Sequence, residues 1–285
     1  MKVLVTGACG FIGHYVIQNL LERKLEVVAT DIDTGTAEGK EWFPQVTFVQ
    51  HIIREQINEE NLFKKFNQPD KIIHLAWKGL PNYKELFHFE ENLPQQYAFL
   101  KNLVENGSKD ILVAGTCFEY GMKSGCLSED MPAEPGNPYS LAKDTLRKFL
   151  LELQKKHVFV LKWPRLFYLY GKGQNPNSLL SQLDKAMTEK QEVFNMSKGD
   201  QKRDYLPVET MADQVVRIAL QDKVTGIINC CSGNPITVLS LVEEFINRSG
   251  KTIRLNPGYY PYPDYEPMEF WGDTKKLKLA LAASP

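Results

Sequence analysis

The sequence is poor in the features that mark a stapled, metal-built or membrane-bound protein. Its five cysteines, Cys9, Cys117, Cys126, Cys230 and Cys231, include no Cys-x-x-Cys pair, which argues against a disulfide framework or a structural zinc. His14, His88 and His157 have no partner at metal-ligand spacing, so no metal site is expected. The net charge of −1 gives no reason to invoke nucleic acid or an anionic membrane. Any phosphate must be recognised by individual Arg or Lys residues and helix ends. No apolar stretch is long enough for a signal peptide or a membrane span, so neither export nor anchoring is expected and a reducing cytoplasm fits. Internal repeats, heptads and low-complexity tracts are also missing.

What is present is a regular alternation. Strand-like runs at Lys2 to Val5, Glu26 to Thr30, Val46 to Val49, Lys71 to Leu75, Asp110 to Ala114 and Val158 to Lys162 alternate with helix-like runs. The helical runs lie near Phe11 to Arg23, Asn61 to Phe66, Phe89 to Glu105 and Tyr139 to Lys156. This pattern predicts a parallel, doubly wound α/β sheet covered on both faces. Beyond Arg165 the texture changes, with loop-like Gly171 to Asn177 and a Pro- and Tyr-rich stretch from Pro257 to Pro267. We read residues 1–165 as the dinucleotide-type domain and residues 166–285 as mainly a smaller lid. Val208 to Leu220 (helix) and Gly226 to Cys230 (strand) lie in a segment, 204–232, that returns to the sheet.

Two constellations carry chemistry. The first strand ends in Thr6-Gly7-Ala8-Cys9-Gly10-Phe11-Ile12-Gly13 and runs into an amphipathic helix. Gly7 permits the turn, Gly10 lets backbone approach a pyrophosphate, Gly13 lets helix and strand pack, and the helix N-terminus offers N–H groups to the anion. Asp31, about twenty residues on, ends the second strand, where a carboxylate can hold the adenosine ribose. The second constellation is Tyr139 with Lys143, one helical turn apart on one face. Tyr ordinarily titrates near ~10, and a neighbouring cation such as Lys143 would bring it down.

Gly7-x-x-Gly10-x-x-Gly13, Thr116 ahead of Tyr120-Gly121, and Tyr139-x-x-x-Lys143 resemble the extended short-chain dehydrogenases/reductases. His74-Leu75-Ala76, Asn92, Pro164-Arg165 and Arg203-Asp204-Tyr205 narrow the resemblance to sugar-nucleotide epimerases, dehydratases and 4-ketoreductases. The resemblance implies a Rossmann fold that binds NAD(P) through Gly7, Gly10, Phe11, Ile12, Gly13, Asp31, Leu75, Ala76, Asn92, Tyr139 and Lys143. It implies Thr116, Tyr139 and Lys143 as catalytic residues, with Trp77, Thr116, Cys117, Phe118, Arg165, Asn177 and Arg203 facing a nucleotide-diphosphate sugar. It also implies a homodimer built on the helices at Phe89 to Glu105 and Tyr139 to Lys156. Two positions depart from the family: Tyr168 stands where Asn is common, and His51 where an Asp usually touches adenine.

Cys117 and Phe118 occupy the places of the carboxylic acid pair used by the family's 4,6-dehydratases, so dehydration is not expected. Reduction of a 4-keto sugar and 4-epimerisation both remain. The runs Gly115 to Gly121 and Trp77 to Tyr83 resemble 6-deoxyhexose 4-ketoreductases that serve bacterial surface polysaccharide, which favours reduction. A non-catalytic NAD(P)-binding regulator on the same fold is the third reading. NAD(H) is the expected cofactor, because Asp31 and Asp33 would repel the extra phosphate of NADP(H). NADP(H) stays possible if a flexible loop from Thr34 lets Lys40 reach it.

Overall fold

The computed structural model describes residues 1–54 and 60–284. The chain runs β1 (Lys2–Thr6), α1 (Phe11–Glu22), β2 (Glu26–Asp31), α2 (Thr34–Glu38), β3 (Thr47–Gln50), α3 (Leu62–Lys65), β4 (Lys71–His74), α4 (Leu93–Glu105), β5 (Asp110–Val113) and β6 (Gly115–Thr116). It continues with β7 (Gly125–Leu127), α5 (Pro138–Gln154), β8 (Val160–Leu166), β9 (Tyr168–Tyr170), α6 (Leu179–Thr188), β10 (Val193–Met196), β11 (Lys202–Pro207), α7 (Val208–Leu220) and β12 (Gly226–Cys230). The last elements are β13 (Pro235–Thr237), α8 (Val238–Ser249), β14 (Arg254–Pro257), β15 (Phe270–Gly272) and α9 (Lys275–Ala282).

Among the described residues the main sheet is parallel throughout, in the order β3-β2-β1-β4-β5-β8-β12, with short β6 also beside β8. Successive side chains of a strand point to opposite faces. Val3 and Val5 accordingly enter one core with Val16, Ile17 and Leu20 of α1 and Met211 and Val215 of α7. Leu4 enters the other, with Phe99 and Leu103 of α4 and Leu146 and Leu150 of α5. Both faces are covered, which is why these strands read as nearly unbroken apolar runs. The chain winds outward from β1 to β3 and then returns to β4 on the other side of β1. The crevice beyond the carboxyl ends of β1 and β4 is therefore the place where such a sheet takes a ligand.

The sixth strand-like run was expected at Val158 to Lys162, and it forms later and longer, as β8. Pro164 sits inside it. Its pairing with β5 ends at Leu112↔Lys162 and resumes with β6 at Gly115↔Arg165. The interruption lies opposite Trp163 and Pro164, and a proline has no N–H to give a ladder. A separate apolar core, including Leu183, Phe194, Leu241 and Val242, is built by α6, β10 and α8.

At the opposite edge of the sheet, Lys162 is fully buried and donates to Asp110 at 2.8 Å and to the Ala219 carbonyl at 2.9 Å. Lys71 pairs with the same Asp110 and with Asp222 at 2.6 Å. Strands β4, β5 and β8 are thus joined by charges at the end remote from the crevice.

Candidate functional site

The glycine loop is closed by contact. Gly7 has a left-handed backbone (φ 67°), and a Cβ there would stand 2.9 Å from the Ala76 nitrogen. A Cβ on Gly13 would stand 2.1 Å from the Gly7 carbonyl oxygen. Gly10 caps α1 without a side-chain hydrogen bond, so the first-turn N–H groups of Phe11 and Ile12 are directed to the crevice. Thr6 fixes the neighbouring strand: its hydroxyl accepts from the Leu75 and Ala76 N–H groups and meets His74 Nδ1 at 2.9 Å. Burial pushes the His74 imidazole down to about 3, so it is a neutral strut.

Asp31 ends β2, and its carboxylate accepts from the backbone N–H groups of Cys9 and Ile32, each at 2.8 Å. The acidic side chain is thereby anchored beside the glycine loop. The segment after it is helical where a flexible loop was expected. Asp33 caps α2 by accepting from the Gly35 and Thr36 N–H groups, and the family's Asp position is filled by His51, packed edge-on against Phe66.

Tyr139 and Lys143 occupy the first turns of α5. The helix starts where it does because Asn137 and Ser140 form a capping box and Pro138 follows the cap, a position that needs no N–H. The Tyr139 N–H donates to the Tyr83 carbonyl at 3.2 Å, which ties this helix start to the 77–83 loop. Both side chains are buried. Burial pushes the Tyr139 phenol well above the ordinary tyrosine range, while the Thr116 hydroxyl pulls it down. Lys143 is itself driven down to about 7 by burial, with Glu119 acting in the opposite sense. Its ammonium donates to the Ala114 carbonyl at 2.9 Å and lies 4.0 Å from the centre of the Trp77 ring.

Trp77 is held in turn. Its indole N–H donates to His88 Nδ1 at 3.0 Å, so His88 Nε2 carries the proton that goes to the Asn82 carbonyl at 2.9 Å. His88 belongs to a π-helical turn, His88–Asn92, a feature frequent at functional sites. It was expected to be bland, and a lone His in a sequence gives no sign that an indole will need its acceptor. Asn92 was expected on the cofactor, but its amide donates to the Lys78 carbonyl at 2.9 Å. It buttresses the 77–83 loop from behind.

These elements enclose a cavity of about 270 Å³ whose lining includes Phe11, Ile12, Leu75, Trp77, Tyr83, Thr116, Cys117, Phe118, Tyr139 and Lys143. Tyr168 and Gln174 also line it and were not foreseen as contacts. Among the described residues the lining contains no carboxylate, and Lys143 is its one cation. Cys117 is buried and its thiol is pushed up by burial, so it is an inert wall.

Three expected substrate contacts, Arg165, Asn177 and Arg203, lie outside the lining of this cavity. Arg165 is fully buried, donates to Glu119 at 2.7 Å and stacks 4.2 Å from the Tyr120 ring centre, because its place in β8 turns it into the protein. Asn177 is exposed on the loop before α6, outside the lining. Arg203 is buried near Tyr168, and its Nε donates to Glu266 at 3.2 Å. Its Nη1 donates to the Lys202 and Met268 carbonyls.

A doubly wound sheet with a glycine loop at its switch point and a buried Tyr–Lys pair at the same edge defines a Rossmann-fold enzyme. The sequence matches the NAD dependent epimerase/dehydratase family over residues 3–231, and the chain belongs to that family. It is 31% identical to a dTDP-6-deoxy-L-talose 4-dehydrogenase (NAD(+)) of Aggregatibacter actinomycetemcomitans, over 95% of this chain and 99% of that protein. It is 27% identical to a dTDP-4-dehydro-6-deoxyglucose reductase of Escherichia coli, over 85% and 79%. Among solved structures, the UDP-glucuronic acid 4-epimerase of Bacillus cereus with UDP-glucuronic acid and NAD is similar at a TM-score of 0.83 and 26% identity, covering 100% of this chain and 94% of that one.

Proposed function

We propose that the protein reduces the 4-keto group of a nucleotide-diphosphate-linked 4-keto-6-deoxyhexose with NAD(H). The observation that carries this reading is the convergence of Thr116, Tyr139 and Lys143 on one apolar cavity without a carboxylate. A carboxylate-free wall suits carbonyl reduction and does not suit removal of water from a sugar. The tight glycine turn, in which a Cβ at Gly7 or Gly13 would strike neighbouring backbone, fits a dinucleotide pyrophosphate, and Asp31 fits its ribose. When bound, the reduced nicotinamide supplies the hydride that goes to sugar C4. Tyr139 gives its phenolic proton to the C4 oxygen, and Thr116 steadies that oxygen with a hydrogen bond. Lys143 lies one turn away to offset the negative charge left on Tyr139.

Residues 166–285, apart from 204–232, form the lid in this reading, with Arg203 as the residue for the substrate diphosphate. Exposed Leu141, Phe149 and Leu151 on α5 support a homodimer through α4 and α5. The second reading is 4-epimerisation, favoured by the likeness to the Bacillus cereus enzyme. The deciding experiment incubates the protein with NADH or NADPH and a panel of nucleotide-linked 4-keto-6-deoxyhexoses while nicotinamide absorbance is followed. Stoichiometric oxidation supports reduction; isomerised product without net oxidation supports the epimerase; tight cofactor binding with no turnover supports a regulator.

A further inference from the structure

Glu119 has no surface and no place in the chemistry above, yet it makes more polar contacts than any group it adjoins at the site. Its side chain is fully buried. Oε1 accepts from the Thr116 N–H at 2.9 Å, the carboxylate accepts from the Trp163 indole N–H at 3.0 Å, and Oε2 accepts from Arg165 Nε at 2.7 Å. It is also the third residue of the short 3-10 turn Cys117–Tyr120, where it completes a capping box with Thr116. The fit is tight enough that a Cβ on Gly115 would stand 2.7 Å from Glu119 Oε1. A buried carboxylate without partners is costly, and this one is spent on the backbone of a proposed catalytic threonine.

We propose that Glu119 is a positioning residue for the proton-transfer group: its carboxylate fixes the Thr116 backbone, and its charge sits at that N–H, two residues along the chain from the Ala114 carbonyl to which the Lys143 ammonium donates. This rests on the reading of Thr116, Tyr139 and Lys143 given above. The other titratable groups packed around Lys143 carry no charge near neutrality. His74 and His88 are held neutral by burial, and Tyr83, Tyr139 and Cys117 are pushed up by it. Asp144, the next residue along the helix, is taken up by Arg147 and Lys148, which leaves Glu119, with its partner Arg165, as the local charge among the described residues. Glu119 acts on Lys143 to keep its proton on, and it acts on Tyr139 as well. One carboxylate thus sets the geometry of one member and the protonation of another.

Two substitutions separate these roles. Glu119→Asp keeps the charge but withdraws it from the Thr116 N–H. We expect kcat to fall roughly tenfold to a hundredfold, the scale of an ångström-sized misplacement, with NADH affinity and substrate KM changed by less than about threefold. Glu119→Gln keeps the length and removes the charge. Lys143 then loses its proton at lower pH, and the alkaline limb of the kcat profile moves down with it. If Glu119→Gln does not fold because Arg165 is left unpaired, Glu119→Gln/Arg165→Met removes both charges, and the downward shift should keep its sign but be smaller, since the loss of the guanidinium partly offsets the loss of the carboxylate. Variants that fold, bind NADH as the wild type does, and keep both its kcat and its pH profile overturn the proposal. The Lys143 side-chain titration, followed by carbon-13 NMR and assigned through Lys143→Met, needs no turnover. A downward move in Glu119→Gln beside a wild type inert towards every sugar would sink the substrate reading and leave this one standing. An unmoved titration beside an active wild type does the reverse.

Discussion

Lys143 rests its ammonium 4.0 Å from the centre of the Trp77 ring while donating to the Ala114 carbonyl at 2.9 Å. A cation over an indole face out of water is worth about 2 kcal/mol, and the indole cannot tilt away without losing its bond to His88. The proton-transfer helix and the 77–83 loop are therefore one mechanical unit, joined again where the Tyr139 N–H meets the Tyr83 carbonyl.

Removing the Tyr139 hydroxyl tests the centre of the reading. Tyr139→Phe should lower kcat by a factor on the order of 10² to 10⁴, the usual worth of a positioned acid or base. NADH affinity, measured by fluorescence, should stay close to wild type. Normal turnover in this variant would discard the assignment.

Lys143 gives a stability prediction with a definite sign. Its proton is held to about pH 7 in the folded chain, against an ordinary lysine value of 10.5. Between those values the unfolded state binds more protons, so this group adds stability as pH rises and withdraws it as pH falls. Lys143→Met has no such term. Its unfolding free energy relative to wild type should rise as pH is lowered from 10 to 7, by up to about 1.4 kcal/mol per pH unit, and level off below. Activity should be lost throughout. A constant difference across that range would show that the lysine is not a buried, destabilised cation.

Much of this was legible in the sequence, and the gaps have physical causes. α7 and β12 fall where the pattern put them, because an amphipathic period and an apolar run bounded by turns are local signals. The glycine loop and the Tyr139–Lys143 spacing are equally local. Arg165 was misassigned because its partner Glu119 lies 46 residues away, and no spacing rule shows which way a strand residue faces across a sheet. Tyr168 was missed for the same reason, since it matters through Glu266, 98 residues away, while His88 was missed because the turn that brings it back to Trp77, 11 residues earlier, carries no periodic signal. The helix after Asp31 was missed because Asp33 caps only five residues, too short for any period to register.

For phosphate anchoring, Arg203→Ala should raise the substrate KM several-fold and leave NADH affinity unchanged. Glu266 and Tyr168 share a hydrogen bond beside the same guanidinium. Loosening that hold with Glu266→Gln should move KM in the opposite direction. Steady-state kinetics on both variants check the pair, and an equal loss of NADH affinity in Arg203→Ala would place the residue on the wrong ligand.

Cofactor choice turns on Asp31. Wild type should favour NADH over NADPH in kcat/KM, and Asp31→Ala should narrow that ratio, since a like charge at contact costs about 1 to 4 kcal/mol depending on solvent. The variant should also bind NADH less tightly, because the Cys9 N–H loses its acceptor. An unchanged ratio would assign the discrimination elsewhere.

The charged seam of Lys71, Asp110, Lys162 and Asp222 lies at the end of the strands opposite the chemistry. For protein engineering this separates two dials. Replacing a buried ion pair with well-packed apolar residues is often neutral or stabilising by about 1 to 4 kcal/mol. Heat tolerance can accordingly be sought by replacing Lys71, Asp110 and Lys162 together, because Asp110 serves both lysines, while selection for new sugars works on the cavity wall, with little crosstalk between the two campaigns.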